Sequence, residues 1–376
     1  MKIVADDKIP YLKGVLEPYA EVVYLPGGKI SRADLIDADA LLIRTRTRCD
    51  QHLLEGTAVR FIASATIGFD HIDTEYCDSN GIVWTNAPGC NSGSVAQYIT
   101  SLLLNYAGRN GRSLKGSTIG IIGVGNVGSK VARNAEILGM RVLLNDPPRA
   151  EKEENNSFVP LETICREADF ITCHVPLDHE GRFRTYHLAD SSFFSSLART
   201  PFFINSSRGE VADNSALKQA LQQKQLCGAA LDVWENEPDI DLELLDLLDY
   251  GTPHIAGYSA DGKATGTAMS VLAFLRYFHQ EKKFDRSSLR EPSLPENREL
   301  DLTLPEYHFL PDPELIRRAV CLSYDITADD SRLRAAPSDF EKQRGDYPFR
   351  REFSAWRIKA PERVAAILAR LGFTVV

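Results

Sequence analysis

The sequence predicts an α/β protein built from two series of βα units, followed by a small carboxy-terminal α+β segment. Three observations carry that expectation. Short apolar runs ending in polar or Gly/Pro-containing loops recur through residues 1–93. A second series starts at the glycine-rich "STIGIIGVGNVG". A charged, proline-dotted stretch at 282–305 then leads into a last segment, 290–376, whose remainder has strand and helix patterns of its own.

In the first series "KIVADD", "EVVYLP", "ALLIRT", "RFIASAT" and "IVWTNAP" read as strands, with helical or loop segments between them. From Ser94 the pattern turns helical. "SVAQ" has the form of a capping box, and Val95, Ile99, Leu102, Leu103 and Tyr106 keep helical spacing before Gly108. The second series supplies "TIGIIG", "RVLLND", "DFITCHVP", "PFFINSS", "CGAALDV" and "GTPHIAG" as strands, and "GKATGTAMSVLAFLRYFHQ" as a long helix. Beyond the charged stretch, residues 320–327 show an apolar alternation. "PERVAAILARLGF" closes as a helix: Pro361 suits its start, Val364, Ile367, Leu368 and Leu371 share a face, and Gly372 stops it.

A formal net charge of -9 argues against nucleic-acid binding, which calls for a basic excess or stripe. No apolar run approaches the ~18 residues of a membrane span, and "MKIVADDKIP" is too acidic for a signal peptide. The seven cysteines are scattered without a CxxC pair. That pattern fits free thiols in a reducing cytoplasm and gives no metal site.

"GVGNVG" places Gly123, Gly125 and Gly128 in GxGxxG spacing directly after a strand. The first glycine permits the tight turn, the second lets backbone approach a pyrophosphate, and the third lets helix and strand pack closely. The next strand ends in Asp146, an acid about 20 residues further on, which can take both hydroxyls of an adenosine ribose. A carboxylate there repels a 2′-phosphate. The expected cofactor is NAD rather than NADP, with Arg149 nearby as the one feature pointing the other way.

Three further strand ends carry "NSSRGE", "LDVWENEP" and "TPHIAG". Together with "GVGNVG", and with "ATIGFDHID" and "NAPGCNSGSVAQY" ahead of it, they resemble the D-isomer-specific 2-hydroxyacid dehydrogenases over residues 1–280. The resemblance implies a flavodoxin-like substrate domain from residues 1–93 and 257–282, with a Rossmann NAD-binding domain, 94–256, inserted in it. It implies that Arg208 holds the substrate carboxylate, that His254 exchanges the hydroxyl proton, and that Glu237 tunes His254. A guanidinium fork, a histidine and a neighbouring carboxylate are the groups such an oxidation needs. By the same resemblance Asp232 contacts the nicotinamide carboxamide, and Asn126, Val127, Val175, Ser206 and Gly257 line the dinucleotide.

Chain length, the tail and "TPHIAGYSADGKATGT" resemble those members that oxidise a 4-phosphorylated four-carbon hydroxy acid on the route to pyridoxal phosphate. The tail then implies a dimerisation domain at 290–376, and Thr45, Thr66 and Tyr258 imply substrate contacts. "RTRTR" concentrates Arg44, Arg46 and Arg48 at one strand end of an acidic chain. If the segment stays extended, the three arginines share a side and the threonines take the other. Arg44 is the expected source of positive field at the phosphate, while Arg46 and Arg48 are expected in solvent or paired with tail acids. The alternatives are another dehydrogenase of the family, such as one for phosphoglycerate or glycerate, and a non-catalytic NADH-sensing corepressor.

Overall fold

The computed structural model describes residues 1–153 and 157–376. They divide into two compact units, one of Met1–Asn91 with Ser259–Ser293, the other of Ser92–Tyr258 with Leu294–Val376. Among the described residues no helix is long and apolar enough to cross a membrane.

In the first unit β1 (Lys2–Asp6), β2 (Glu21–Leu25), β3 (Ala40–Ile43), β4 (Phe61–Ser64) and β5 (Val83–Thr85) form a parallel sheet in the order β2-β1-β3-β4-β5. This is the flavodoxin-like order. β3 and β4 are buried at every position, which is why "ALLI" and "FIAS" are nearly unbroken apolar runs. The helix Ala260–Tyr277 returns to cover the sheet, with Val271, Phe274 and Leu275 packed among Ile3, Leu42 and Ala63. Past Ile43 the chain does not stay extended. The Thr47 amide donates to Arg44 O at 3.3 Å, and the buried Thr47 hydroxyl donates to Gly27 O at 3.0 Å. The turn breaks the expected alternation: Thr45 is exposed while Thr47 is buried, so the two threonines do not share a side.

In the second unit β6 (Thr118–Ile122), β7 (Arg141–Asn145), β8 (Phe170–Cys173), β9 (Phe202–Asn205), β10 (Gly228–Leu231) and β11 (Tyr250–Gly251) are all parallel, in the order β11-β10-β9-β8-β6-β7. The order reverses between β6 and β8, whose last residues, Ile122 and Cys173, are in register. Such a switch point is where an open α/β sheet takes its ligand. "GTPHIAG" is strand only at its first glycine, with Tyr250 before it; the rest is loop.

The helix Ser92–Arg109 is buried around most of its circumference, because a second layer covers its outer side. Its core includes Leu302, Leu315, Ala319, Val320 and Tyr324 of the tail. The helix starts at Ser92, so "SVAQ" is no capping box. The Ser94 hydroxyl donates to Glu352 Oε1 at 3.0 Å, and Gln97 Nε2 donates to Arg351 O at 3.0 Å. Both polar residues hold the tail.

The tail itself has a parallel sheet, β12 (Glu299–Asp301), β13 (Arg357–Lys359) and β14 (Thr374–Val375), in that order. Residues 320–327 are not a strand. The helices Asp312–Ser323 and Ile326–Ala335 meet there, and Asp325 caps the second by accepting from the Thr327 amide at 3.0 Å. The apolar alternation arises because Val320 ends one buried face and Ile326 begins another. The last helix, Glu362–Leu371, stops at Gly372 in the left-handed region at φ 113°.

Candidate active site

At the end of β6, Gly123 turns at φ 86°, and a Cβ there would lie 2.6 Å from His174 O. At Gly128 a Cβ would lie 2.0 Å from Gly123 O, so the helix Asn126–Ile137 closes directly on the turn. A Cβ on Gly125 would meet nothing within 4 Å among the described residues. Two close-packed glycines flanking an open one are what a backbone cradle for a pyrophosphate needs. Asn126 is exposed at the first turn of that helix, and Val127 packs half-buried on the core. Val175 is half-buried beside Gly123. The Ser206 hydroxyl is buried and has no hydrogen-bond partner among the described residues, a donor awaiting an acceptor.

Asp146 follows β7 directly. Its Oδ2 accepts from the Val124 amide at 2.8 Å and its Oδ1 from the Arg149 amide at 3.1 Å, which ties the acid to the glycine turn. The Arg149 guanidinium is forked onto Glu153 at 2.7 and 2.9 Å and also donates to Val124 O. The cation that could have attracted a 2′-phosphate is therefore already engaged.

"NSSRG" is shaped by buried Asn205. Its Nδ2 donates to Arg208 O at 2.8 Å, and its Oδ1 accepts from the Ser207 amide and hydroxyl at 3.1 and 2.8 Å. Arg208 itself is half-buried, and Nη1 donates to Ser207 O at 2.9 Å. A Cβ on Gly209 would lie 2.0 Å from Trp234 O, so only glycine lets this turn press against the loop that carries Glu237. Gly209 went unmarked in the sequence, where it is one glycine of a motif read for its arginine.

Asp232, after β10, is 2% exposed. Its Oδ1 accepts from Thr252 Oγ1 at 2.6 Å and the Ile255 amide at 2.8 Å, and its Oδ2 from the Ala256 amide at 2.9 Å. Burial pushes this carboxyl up, against the pull of the His254 charge, Thr252 and the two amides. Asp232 thus clamps the loop on which His254 sits. The fully buried Tyr98 extends the clamp, its hydroxyl 2.8 Å from Thr252 Oγ1. Neither Tyr98 nor Thr252 stands out in sequence, since a buried hydroxyl pair has no local pattern.

His254 adopts φ 55°, a left-handed conformation that costs a side-chain-bearing residue about 1–2 kcal/mol. Its amide donates to Asp232 O at 2.7 Å, and its Nδ1 lies 2.8 Å from Glu237 Oε2. Glu237 Oε1 accepts from the Trp234 amide at 2.9 Å. Burial works to raise the Glu237 carboxyl, but the His254 contact, that amide and the charge of Arg344 together bring it below the ordinary carboxylate range. An ionised carboxylate only accepts, so Nδ1 is the donor and Nε2 is left with the lone pair. Gly257 and Tyr258 follow on the same loop, half-buried, with the Tyr258 amide donating to Ile255 O at 2.8 Å.

In the first unit Thr45 is exposed in the turn after β3. The Thr66 hydroxyl lies 2.7 Å from Ser64 Oγ and donates to Gly68 O at 3.2 Å. Arg44 Nη1 donates to Lys8 O at 3.2 Å. Arg48 is solvated, its side chain 85% exposed, and it pairs with nearby Asp50 at 3.1 Å, not with a tail acid. Lys263, on the helix Ala260–Tyr277, is pushed down first by burial and then by the charge of Arg44. It forms a second cation beside that arginine which no motif announces.

Residues 97–256 match the family model of the D-isomer specific 2-hydroxyacid dehydrogenase NAD binding domain, and residues 302–372 match a domain of unknown function. The chain is 52% identical over 359 residues to the erythronate-4-phosphate dehydrogenase of Bacteroides thetaiotaomicron, covering 95% of this chain and 99% of that protein. Identity to the enzyme of the same name from Porphyromonas gingivalis is 45% over 375 residues, 99% of this chain and 100% of that protein. Among solved structures, a D-lactate dehydrogenase from Aquifex aeolicus complexed with NAD and lactic acid aligns with a TM-score of 0.61 at 26% identity, over 76% of this chain and 98% of that one. With its sheet orders, its glycine turn and its Glu237–His254 pair in place, the chain belongs to the D-isomer-specific 2-hydroxyacid dehydrogenases.

Proposed function

We propose that this protein oxidises the C2 alcohol of 4-phospho-D-erythronate to the 2-oxo acid, with NAD, in the route to pyridoxal 5′-phosphate. The observation that carries the reading is the 2.8 Å contact between His254 Nδ1 and an ionised Glu237, which leaves Nε2 free to take a proton. The names of relatives at 45–52% identity support the substrate.

Gly123, Gly125, Asn126, Val127, Gly128, Asp146, Val175, Ser206, Asp232 and Gly257 would hold the cofactor, and the open side of Gly125 and the unpartnered Ser206 hydroxyl fit it. Bound NAD supplies the hydride acceptor. Arg208 holds the substrate carboxylate with its guanidinium fork and so orients C2. His254 Nε2 accepts the hydroxyl proton as the carbonyl forms, and returns it in the reverse direction. Glu237 keeps the ring in the tautomer that does this and balances the imidazolium charge. Thr45, Thr66 and Tyr258 are the proposed hydroxyl contacts to substrate, and Arg44 adds positive field. The two units are assigned as substrate and NAD-binding domains, the latter carrying the tail.

Kinetics with the phosphorylated acid, with the same acid lacking phosphate, and with phosphoglycerate and glycerate test the substrate. The first should give the highest kcat/KM; a preference for either three-carbon acid contradicts the reading. Asp146 makes a separate prediction. NAD should exceed NADP in kcat/KM, and Asp146→Ala should narrow the gap. Equal use of both cofactors by the wild type would remove that role.

We further propose that the protein works in the cytoplasm as a homodimer joined through residues 290–376. In support, Phe309 of the tail is 96% exposed, an unusual placement for a large apolar side chain outside an interface. Light scattering should return the dimer mass for the intact chain and a lower average mass for Phe309→Asp. A monomer in the wild type contradicts the proposal.

A further inference from the structure

The groups assigned so far leave the substrate's phosphate without a reader in the larger unit, while the tail brings a cation to Tyr258 and Glu237. The Arg344 guanidinium lies 6.0 Å from the centroid of the Tyr258 ring, and the Tyr347 ring meets that of Tyr258 edge-on at 5.7 Å. Arg344 Nη1 donates to Glu341 Oε1 at 2.7 Å, but its Nε is buried with no hydrogen-bond partner among the described residues. Buried guanidinium donors normally find acceptors. An orphan N–H beside Tyr258, on a side chain whose charge is felt at Glu237, points to an acceptor that arrives with the ligand.

We propose that Arg344 is a specificity residue that binds the substrate's distal phosphate, so that the carboxy-terminal segment completes the substrate site. This rests on the reading that the substrate carries a carboxylate at one end and a phosphate at the other. Arg208 takes the first and Arg344 the second. A planar fork with one free Nε–H suits a phosphate oxygen. The Glu341 pair is partly exposed and worth little, so Arg344 can exchange that partner at small cost. The competing role is structural: Arg344 could act only through the charge it presents to Glu237. That role predicts a shifted pH profile and equal losses for every substrate.

The test is steady-state kinetics of wild type, Arg344→Gln and Arg344→Lys with 4-phosphoerythronate and with erythronate, each variant checked for a wild-type melting temperature. The proposal expects the preference for the phosphorylated acid to fall about ten-fold or more in Arg344→Gln. Arg344→Lys keeps the charge but not the fork, and should retain part of that preference. Equal loss on both acids, or a moved acid limb with selectivity intact, overturns the role of Arg344. A wild type that shows no preference overturns the substrate reading itself, whereas a preference that survives Arg344→Gln leaves that reading standing and removes only Arg344.

Discussion

Arg208→Ala is expected to lower kcat/KM on the order of 10²–10³-fold, the ordinary worth of one well-placed charged donor at a reacting centre. The loss follows from what the side chain is placed to do. Asn205 and the close contact of Gly209 with Trp234 shape the turn alongside the Arg208 Nη1 bond to Ser207 O, so truncation removes only part of what holds it. Truncation should therefore leave the melting temperature near that of the wild type. Arg208→Lys keeps the charge but loses the fork, and should fall between the two. Steady-state rates on the phosphorylated acid decide the matter. Near-wild-type kcat/KM in Arg208→Ala would mean that another group orients the carboxylate.

Glu237→Gln should move the acid limb of the kcat/KM profile for oxidation to lower pH and reduce the best rate about 10²-fold, the low end of what general acid–base catalysis contributes. The direction follows from the charges. The Glu237 carboxyl titrates below the ordinary carboxylate range, so it stays ionised wherever a histidine changes charge. The limb therefore reports His254. Glutamine removes the anion that favours the imidazolium, so the ring loses its proton at lower pH and becomes a competent base earlier. The same loss leaves the imidazolium formed during turnover without its counter-charge, which lowers the plateau. An unmoved limb with an unchanged plateau would show that the 2.8 Å contact does not matter to the reaction.

Those two residues could be placed at strand ends because each follows a strand whose burial writes a continuous apolar run, but their roles came only from the resemblance of the motifs taken together. β9 and β10 are buried at every position, so their ends, and the polar loops that follow them, could be located without a structure. The glycine turn was legible for a related reason: Gly123 and Gly128 answer steric demands at fixed spacing, with Gly125 left open between them. What escaped depended on partners far away in the chain. Ser94 and Gln97 look like a cap until Glu352 and Arg351 are seen beside them. Thr47 turns inward because Gly27 O is there to receive it, and that ends the alternation of "RTRTR". Val320 and Ile326 gave the spacing of a strand because two helices happen to end and begin between them. Arg344 belongs to no motif at all, and only the packing of Tyr258 against the tail brings it into view.

On the proposed mechanism His254 takes the hydroxyl proton while the hydrogen on C2 leaves as hydride to the nicotinamide. Turnover of 4-phosphoerythronate deuterated at C2, with mass analysis of both products, tests it directly. The deuterium should appear on the reduced nicotinamide and be absent from the 2-oxo acid and from water. Deuterium washed into solvent, or a protein that binds NADH and the acid without turning either over, would contradict it.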